Sequence, residues 1–244
     1  METKITDNQR RVEVCYTPAL FPVYYSQKDC IVVVIDIFRA TSTICTAFQH
    51  GIKEIIPVSS VDEAREYQDK GYIVAAERQG EIVKGFDMGN SPFSFMDPKL
   101  KGKSIVLTTT NGTKAIKRAS AADYVVIGSF LNVDAICKYL IEMEKHVVLL
   151  CAGWRDRFNM EDSLFAGAVV NRLKQHPTFQ GIADSSMAAN HLYELAKDDM
   201  LSFLQNTSHQ NRLVQLNLKK DISYCLQENI TDVIPKYEGN TLIL

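Results

Sequence analysis

Apolar residues along this chain follow two alternating rhythms. Short unbroken runs of Val, Ile and Leu mark strands covered on both faces. Between them, apolar positions recur every three or four residues, as on one side of a helix. Over residues 31–77 these rhythms predict a strand at IVVVID, a helix at TSTICTAFQHG, a strand at EIIPVS, a helix at VDEAREYQDKG and a strand at YIVAAE. Residues 105–151 repeat that order with IVLTTT, TKAIKRASAA, YVVIGS, VDAICKYLIEME and HVVLLC.

The two stretches also correspond position by position. Thr41 aligns with Thr113, Ser59 with Ser129, Glu63 with Asp134 and Tyr72 with His146, at an offset between 70 and 74 residues; Asp87 precedes Glu161 by the same distance. An internal duplication is expected. Two β-α-β-α-β units with doubly covered strands imply an α/β protein of three layers, α/β/α, with a mainly parallel sheet. From residue 163 the pattern turns helical: SLFAGAVVNRLKQ stops before His176-Pro177, a helix covers 184–205, NTSHQNRLVQL is a polar turn entering another helix, and VIPKYEGNTLIL ends the chain extended. A single domain over 1–244 is expected, with the repeat at 31–77 and 105–151 and a helical part at 163–244.

Composition narrows the function classes. A hydrophobic share of 46% against 23% charged supports a packed core, and a net charge of −2 with no basic block leaves nucleic acid without an electrostatic footprint. No apolar run is long enough to cross a bilayer, and the start METKITDNQRRVEV is polar, so no membrane partner and a cytoplasmic location are expected. The six cysteines form no C-x-x-C pair, which argues against a zinc site or a disulfide framework.

Candidate chemistry gathers where strands end, the usual ligand crevice of an open α/β sheet. In VVVIDIFRATST, Asp36 leaves a buried strand and Arg39, Thr41 and Ser42 open a helix whose amides suit an oxyanion. A turn carboxylate followed by an N-cap would use the same residues. In LTTTNGTKA, Thr110, Asn111, Gly112 and Thr113 make a second strand-to-helix turn, either an anion nest or an ordinary capped turn. Glu77 and Arg78 end a strand, Asp87 lies in a glycine-rich loop, and Arg157 precedes Glu161 and Asp162 at a helix start where the dipole alone would welcome acid.

Carboxylates beside arginines are what a hard cation such as Mg²⁺ selects when its substrate is anionic. The candidate metal ligands are Asp36, Glu77, Asp87, Glu161 and Asp162, and the candidate catalytic groups are Asp36, Arg39 and Asp162. Thr41, Ser42, Arg78, Thr110, Asn111, Gly112, Thr113 and Arg157 are the candidate contacts to a small anionic phosphorylated metabolite. His209 is a candidate mobile acid or base. Three other readings compete. Cys151 to Arg157 fits the C-x5-R spacing of a thiolate phosphatase, although Trp154 and Asp156 stand where small residues are wanted. Asp36 could be an aspartyl nucleophile as in the haloacid dehalogenase class, but Phe38 occupies the position of that class's second Asp. The third is a non-catalytic sensor of an anionic metabolite.

Together DIFRATST, ERQGEIVKGFDMGNSP, TTTNGT and AG-x-x-x-R-F-x-x-E-D-x-x-x-A-G resemble the 2-phosphosulfolactate phosphatase family over roughly residues 10–225. The resemblance implies Mg²⁺-dependent hydrolysis of 2-phospho-3-sulfolactate to 3-sulfolactate, a step of coenzyme M biosynthesis, by a homo-oligomer. That substrate carries phosphate, sulfonate and carboxylate on three carbons. A metal together with Arg39, Arg78 and Arg157 would meet that charge.

Overall fold

The structure, a computed structural model, describes residues 9–25, 29–179 and 181–244, so the first eight residues of the polar start lie outside the described residues. The strands are β1 (Arg11–Cys15), β2 (Cys30–Ile35), β3 (Glu54–Pro57), β4 (Ile73–Arg78), β5 (Glu81–Ile82), β6 (Ser104–Thr108), β7 (Tyr124–Gly128), β8 (His146–Cys151), β9 (Gly181–Ile182), β10 (Lys236–Glu238) and β11 (Thr241–Ile243). The helices are α1 (Phe21–Tyr24), α2 (Ala40–Gln49), α3 (Val61–Asp69), α4 (Gly112–Ala119), α5 (Val133–Met143), α6 (Met160–Leu173), α7 (Asp184–Ala196), α8 (Met200–Phe203), α9 (Ser208–Gln215) and α10 (Lys219–Cys225).

The strands form one sheet in the order β5-β4-β6-β3-β11-β10-β7-β2-β8-β1-β9. Strands β4, β6 and β3 are mutually parallel, and so are β7, β2, β8, β1 and β9. The C-terminal hairpin β10–β11 stands between these blocks and joins each by antiparallel pairing, Leu242 opposite Ile55 and Lys236 opposite Val126. With the turn of the hairpin itself this makes three reversals between β3 and β7, so the two blocks run in opposite senses. The first strand of each βαβαβ stretch lies in the other's block: β2 sits between β7 and β8, and β6 between β3 and β4. Opposed senses let the carboxyl ends of β2 and β6 meet head to head, which sets Gly112 against Ala40 and Asp36.

Alternation along β2 builds the layers. Ile31, Val33 and Ile35 face a core shared with Ile136 and Leu140 of α5 and Phe165 and Val169 of α6. Val32 and Val34 face the opposite core, with Ile44 of α2 and Ile116 of α4. In the other block Val74, Ala76 and Val106 pack on Ala64 of α3. Each such Val or Ile contributes roughly 1.5–3 kcal/mol on leaving water. Helix α2 is buried from Ala40 to Phe48, so its hydroxyls bond inward: Ser42 donates to the Ile37 carbonyl, Thr43 to that of Asn90 and Thr46 to that of Ser42.

The predicted units appear with boundaries moved by one to three residues, the largest shift being the end of α4 at Ala119, and HVVLLC coincides with β8. The stretch 184–205 is two helices rather than one, because the Asp199 side chain accepts from the Ser202 amide and starts α8 anew. The extended end is the β10–β11 hairpin, turned by Gly239 and Asn240 with φ of 54° and 71°. Strand β1 alternates buried Val12 and Val14 with Arg11 and Glu13, and it pairs in parallel with β8 and β9. Among the described residues no helix is long and apolar enough to cross a membrane.

Candidate active site

Two matching turns make the floor of the site. After β2 the Asp36 amide donates to Thr41 Oγ1 over 3.1 Å, while that hydroxyl donates to the Asp36 carbonyl over 3.0 Å. After β6 the Thr109 amide donates to Thr113 Oγ1 over 3.2 Å, and Thr113 Oγ1 donates to the Thr109 carbonyl over 3.1 Å. The two threonines therefore lock the turns, and the Thr41 and Thr113 amides are bonded to Asp36 O and Thr109 Oγ1. Gly112 lets the turns touch: a Cβ there would stand 2.4 Å from the Ala40 Cβ and 2.8 Å from Asp36 Oδ2.

Above this floor a narrow cleft is lined by Asp36, Phe38, Arg39, Glu77, Gly80, Asn90, Thr110, Asn111, Trp154, His209 and Leu213. A larger groove of about 450 Å³, bordered by Lys114, Lys117, Arg118 and Asp156, offers one carboxylate and largely solvated cations, a poorer setting for chemistry. In the smaller cleft Asp36 is pushed up to about 6, foremost by burial; His209 pulls its proton affinity down and Glu77 and Glu161 push it up. His209 Nδ1 lies 2.6 Å from Glu161 Oε1, and its ring packs at 4.8 Å on Trp154 and 5.9 Å on Phe38. Burial alone lowers the His209 proton affinity, but the charge and hydrogen bond of Glu161, with the Asp36 charge behind them, raise it overall.

The remaining carboxylates are already engaged. Asp162 Oδ1 accepts from the Ile37 amide at 2.8 Å, and its Oδ2 accepts from the Gly153 amide at 3.1 Å and Asn159 Nδ2 at 2.9 Å. Those three donors oppose burial and the Glu161 and Asp36 charges, which raise its proton affinity. It pins the β2 and β8 exits together from behind the cleft. Glu77 accepts from the Gly80 amide and from both the amide and hydroxyl of Thr110, and so splints the β4–β5 turn to the turn after β6. Arg78 donates to the Glu77 carbonyl and to Thr108 Oγ1. Arg39 is held at the start of α2 by the Gly80 carbonyl at 2.8 Å and Asp221 Oδ2 at 3.0 Å.

The structure thus gathers Asp36, Arg39, Glu77, Thr110 and Asn111 at one cleft, with Gly112 beneath it. It does not bring Asp87 or Arg157 there: both are exposed, and neither lines the cleft. Thr41, Ser42 and Thr113 are spent on backbone groups, so they shape the turns instead of meeting a phosphate. Cys151 is fully buried under the cleft, and burial followed by the Asp162 charge pushes its thiol well up, the opposite of an activated thiolate. Gly80, Asn90, Leu213 and Asp221 also belong to the site or its support, and little in the sequence marks them. Their only advance signals were the glycine of the RQG turn and the acid in a C-terminal helix of no obvious purpose.

The 2-phosphosulpholactate phosphatase family model matches residues 15–240. A probable 2-phosphosulfolactate phosphatase of Thermotoga petrophila is 39% identical over 212 residues, 87% of this chain and 91% of that protein. Its counterpart in Caldanaerobacter subterraneus subsp. tengcongensis is 39% identical over 216 residues, 87% of this chain and 89% of its own. That in Clostridium acetobutylicum is 35% identical over 220 residues, 88% and 93% respectively. With the four motifs in order and matches running nearly end to end, this chain belongs to the 2-phosphosulpholactate phosphatase family.

Proposed function

We propose that the cleft hydrolyses the phosphate monoester of a small 2-phospho acid, with 2-phospho-3-sulfolactate going to 3-sulfolactate and phosphate, and that Mg²⁺ assists. Family membership and the names of the relatives favour that substrate and, with it, a role in coenzyme M biosynthesis. The observation that carries the reading is the pair Asp36 and Arg39, a buried carboxylate and a buried guanidinium brought together over the head-to-head ends of β2 and β6.

Charge balance supports the metal. Asp36, Glu77, Glu161 and Asp162 are all buried at or behind the cleft, while of the buried cations Arg39 is paired with Asp221 and His209 with Glu161. A polyanion entering such surroundings needs added positive charge. Among the described residues no three His, Cys, Asp or Glu side chains form a ready-made cage. Mg²⁺ does not require one, since it usually keeps one or two protein carboxylates and completes its shell with water and substrate phosphate. Asp36 and Asn90 Oδ1, a buried oxygen with no partner, fit that role and would hold the ion. When bound, the metal neutralises the phosphate and polarises the phosphoryl group.

The chain's own groups do the rest. Arg39 donates its remaining N–H groups to phosphate oxygens, and the amides of Asn111 and Gly112 at the head of α4 take another. His209, its Nδ1 committed to Glu161, presents Nε2 to the leaving oxygen. Water bonds to phosphorus as the P–O bond to C2 breaks; His209 protonates the departing oxygen and is recharged by the proton the water gives up. Phe38, Trp154 and Leu213 exclude bulk water. Purified protein with 2-phospho-3-sulfolactate and Mg²⁺ should release inorganic phosphate, stop in EDTA and resume on adding Mg²⁺. No release from a panel of 2-phospho acids, with thermal stabilisation by one of them, would make the chain a metabolite sensor instead.

A further inference from the structure

We infer that Asp221 is a positioning residue for the reaction, setting the orientation of Arg39 from behind the cleft; the inference rests on the phosphatase reading for its kinetic arm only. Arg39 lines the cleft and Asp221 does not, yet both side chains are buried and joined over 3.0 Å through Nη1 and Oδ2. The second Asp221 oxygen, Oδ1, accepts from Ser91 Oγ over 3.1 Å, so the carboxylate cannot swing without losing a partner. On the other side Nη2 donates to the Gly80 carbonyl over 2.8 Å. That carbonyl is itself aimed, because Glu77 holds the Gly80 amide and Gly80 has φ +90°. A side chain at Gly80 would stand 2.6 Å from Leu216 Cδ1.

A guanidinium offers five N–H groups in a planar fork, and two acceptors on different nitrogens fix that plane. Asp221 and Gly80 spend two donors and leave three for an anion. The acceptors come from α10 and from the β4–β5 turn, segments separated by most of the chain. The α9–α10 region, which also brings His209 and Leu213 to the cleft, therefore completes the site as well as covering the sheet. A buried pair of this kind is costly to break, since the surviving Arg39 would be both unpaired and free to rotate.

The test compares Asp221→Asn, Asp221→Glu, Ser91→Ala, Arg39→Ala and the Arg39→Ala/Asp221→Asn double variant in kcat, KM and calorimetric binding of inorganic phosphate. Asp221→Asn should lower kcat/KM at least tenfold, raise KM and weaken phosphate binding, with part of the loss restored in Asp221→Glu. Adding it to Arg39→Ala should cost little more, because its effect runs through that side chain. If Asp221→Asn does not fold, Ser91→Ala keeps the ion pair, frees Oδ1 and should still weaken phosphate binding severalfold. Additive losses in the double variant, or folded Asp221→Asn or Ser91→Ala binding phosphate as the unsubstituted chain does, would overturn the inference. Absence of phosphate binding by the unsubstituted chain overturns it too. Lack of turnover with phosphate binding still dependent on Asp221 would overturn only the phosphatase reading.

Discussion

His209 Nδ1 and Glu161 Oε1 stand 2.6 Å apart in a buried pair, while Glu161 Oε2 has no hydrogen-bond partner among the described residues. The short contact fixes which ring nitrogen faces the carboxylate and leaves Nε2 for the cleft. Replacing His209 by Gln should lower kcat by about 10²-fold or more, the usual weight of a positioned acid. Glu161→Gln removes the charge that holds the His209 proton affinity up, so the alkaline fall of kcat should move to lower pH. A pH–rate profile of the two variants checks both statements; an unmoved alkaline limb in Glu161→Gln would remove His209 from the mechanism.

Asp36 costs the fold stability at neutral pH. Its carboxyl has an ordinary value of 3.8 and is held at about 6 in the fold. A raised folded value adds no penalty below 3.8, where the acid is protonated in both states, and costs stability increasingly as pH rises to about 6. Asp36→Asn should therefore stabilise the protein by up to about 3 kcal/mol above pH 6, with the gain vanishing near pH 4, while phosphate release is abolished. Urea unfolding at pH 4 and pH 7.5 measures the difference.

Gly112 is the only residue type that fits where α2 and α4 abut. Gly112→Ala would drive a methyl to 2.4 Å from the Ala40 Cβ and 2.8 Å from Asp36 Oδ2, and neither the backbone-borne Cβ nor the buried carboxylate can move far. A loss of about 1–3 kcal/mol in stability is expected from the overpacking, with a larger fall in activity because Asp36 is displaced. Thermal unfolding and steady-state rates separate the two effects.

Cys151 gives the sharpest contrast between mechanisms. With its thiol buried and its proton affinity raised, Cys151→Ser should keep kcat per folded molecule within about twofold of the unsubstituted protein, at some loss of stability from the new hydroxyl. Activity that survives EDTA and disappears in Cys151→Ser would restore the thiolate reading.

The strands and the main helices were legible because buried parallel strands leave unbroken apolar runs such as CIVVVI and HVVLLC. The crevice followed from strand ends. What stayed hidden were the partners of each polar group. Glu77, Asp162 and Asp36 are all acids at strand or helix ends, yet two are saturated by amide and hydroxyl donors and one is not, a difference set by neighbours tens of residues away. Thr41 and Thr113 offered the same hydroxyl to a phosphate or to a turn, and the five- and four-residue separations to Asp36 and Thr109 chose the turn. Asp221 was invisible because nothing local in its helix refers to Arg39.

The exchange of first strands has a consequence for biosynthesis. A ribosome delivers β2 long before β7 and β8, its neighbours on either side, and releases β3 and β4 before the β6 that must slip between them. At about 5–20 residues per second the nascent chain spends several seconds displaying bare Val- and Ile-rich edges. No early half-product can pair those edges fully, so severing the gene between the two halves should yield fragments that must find each other or aggregate.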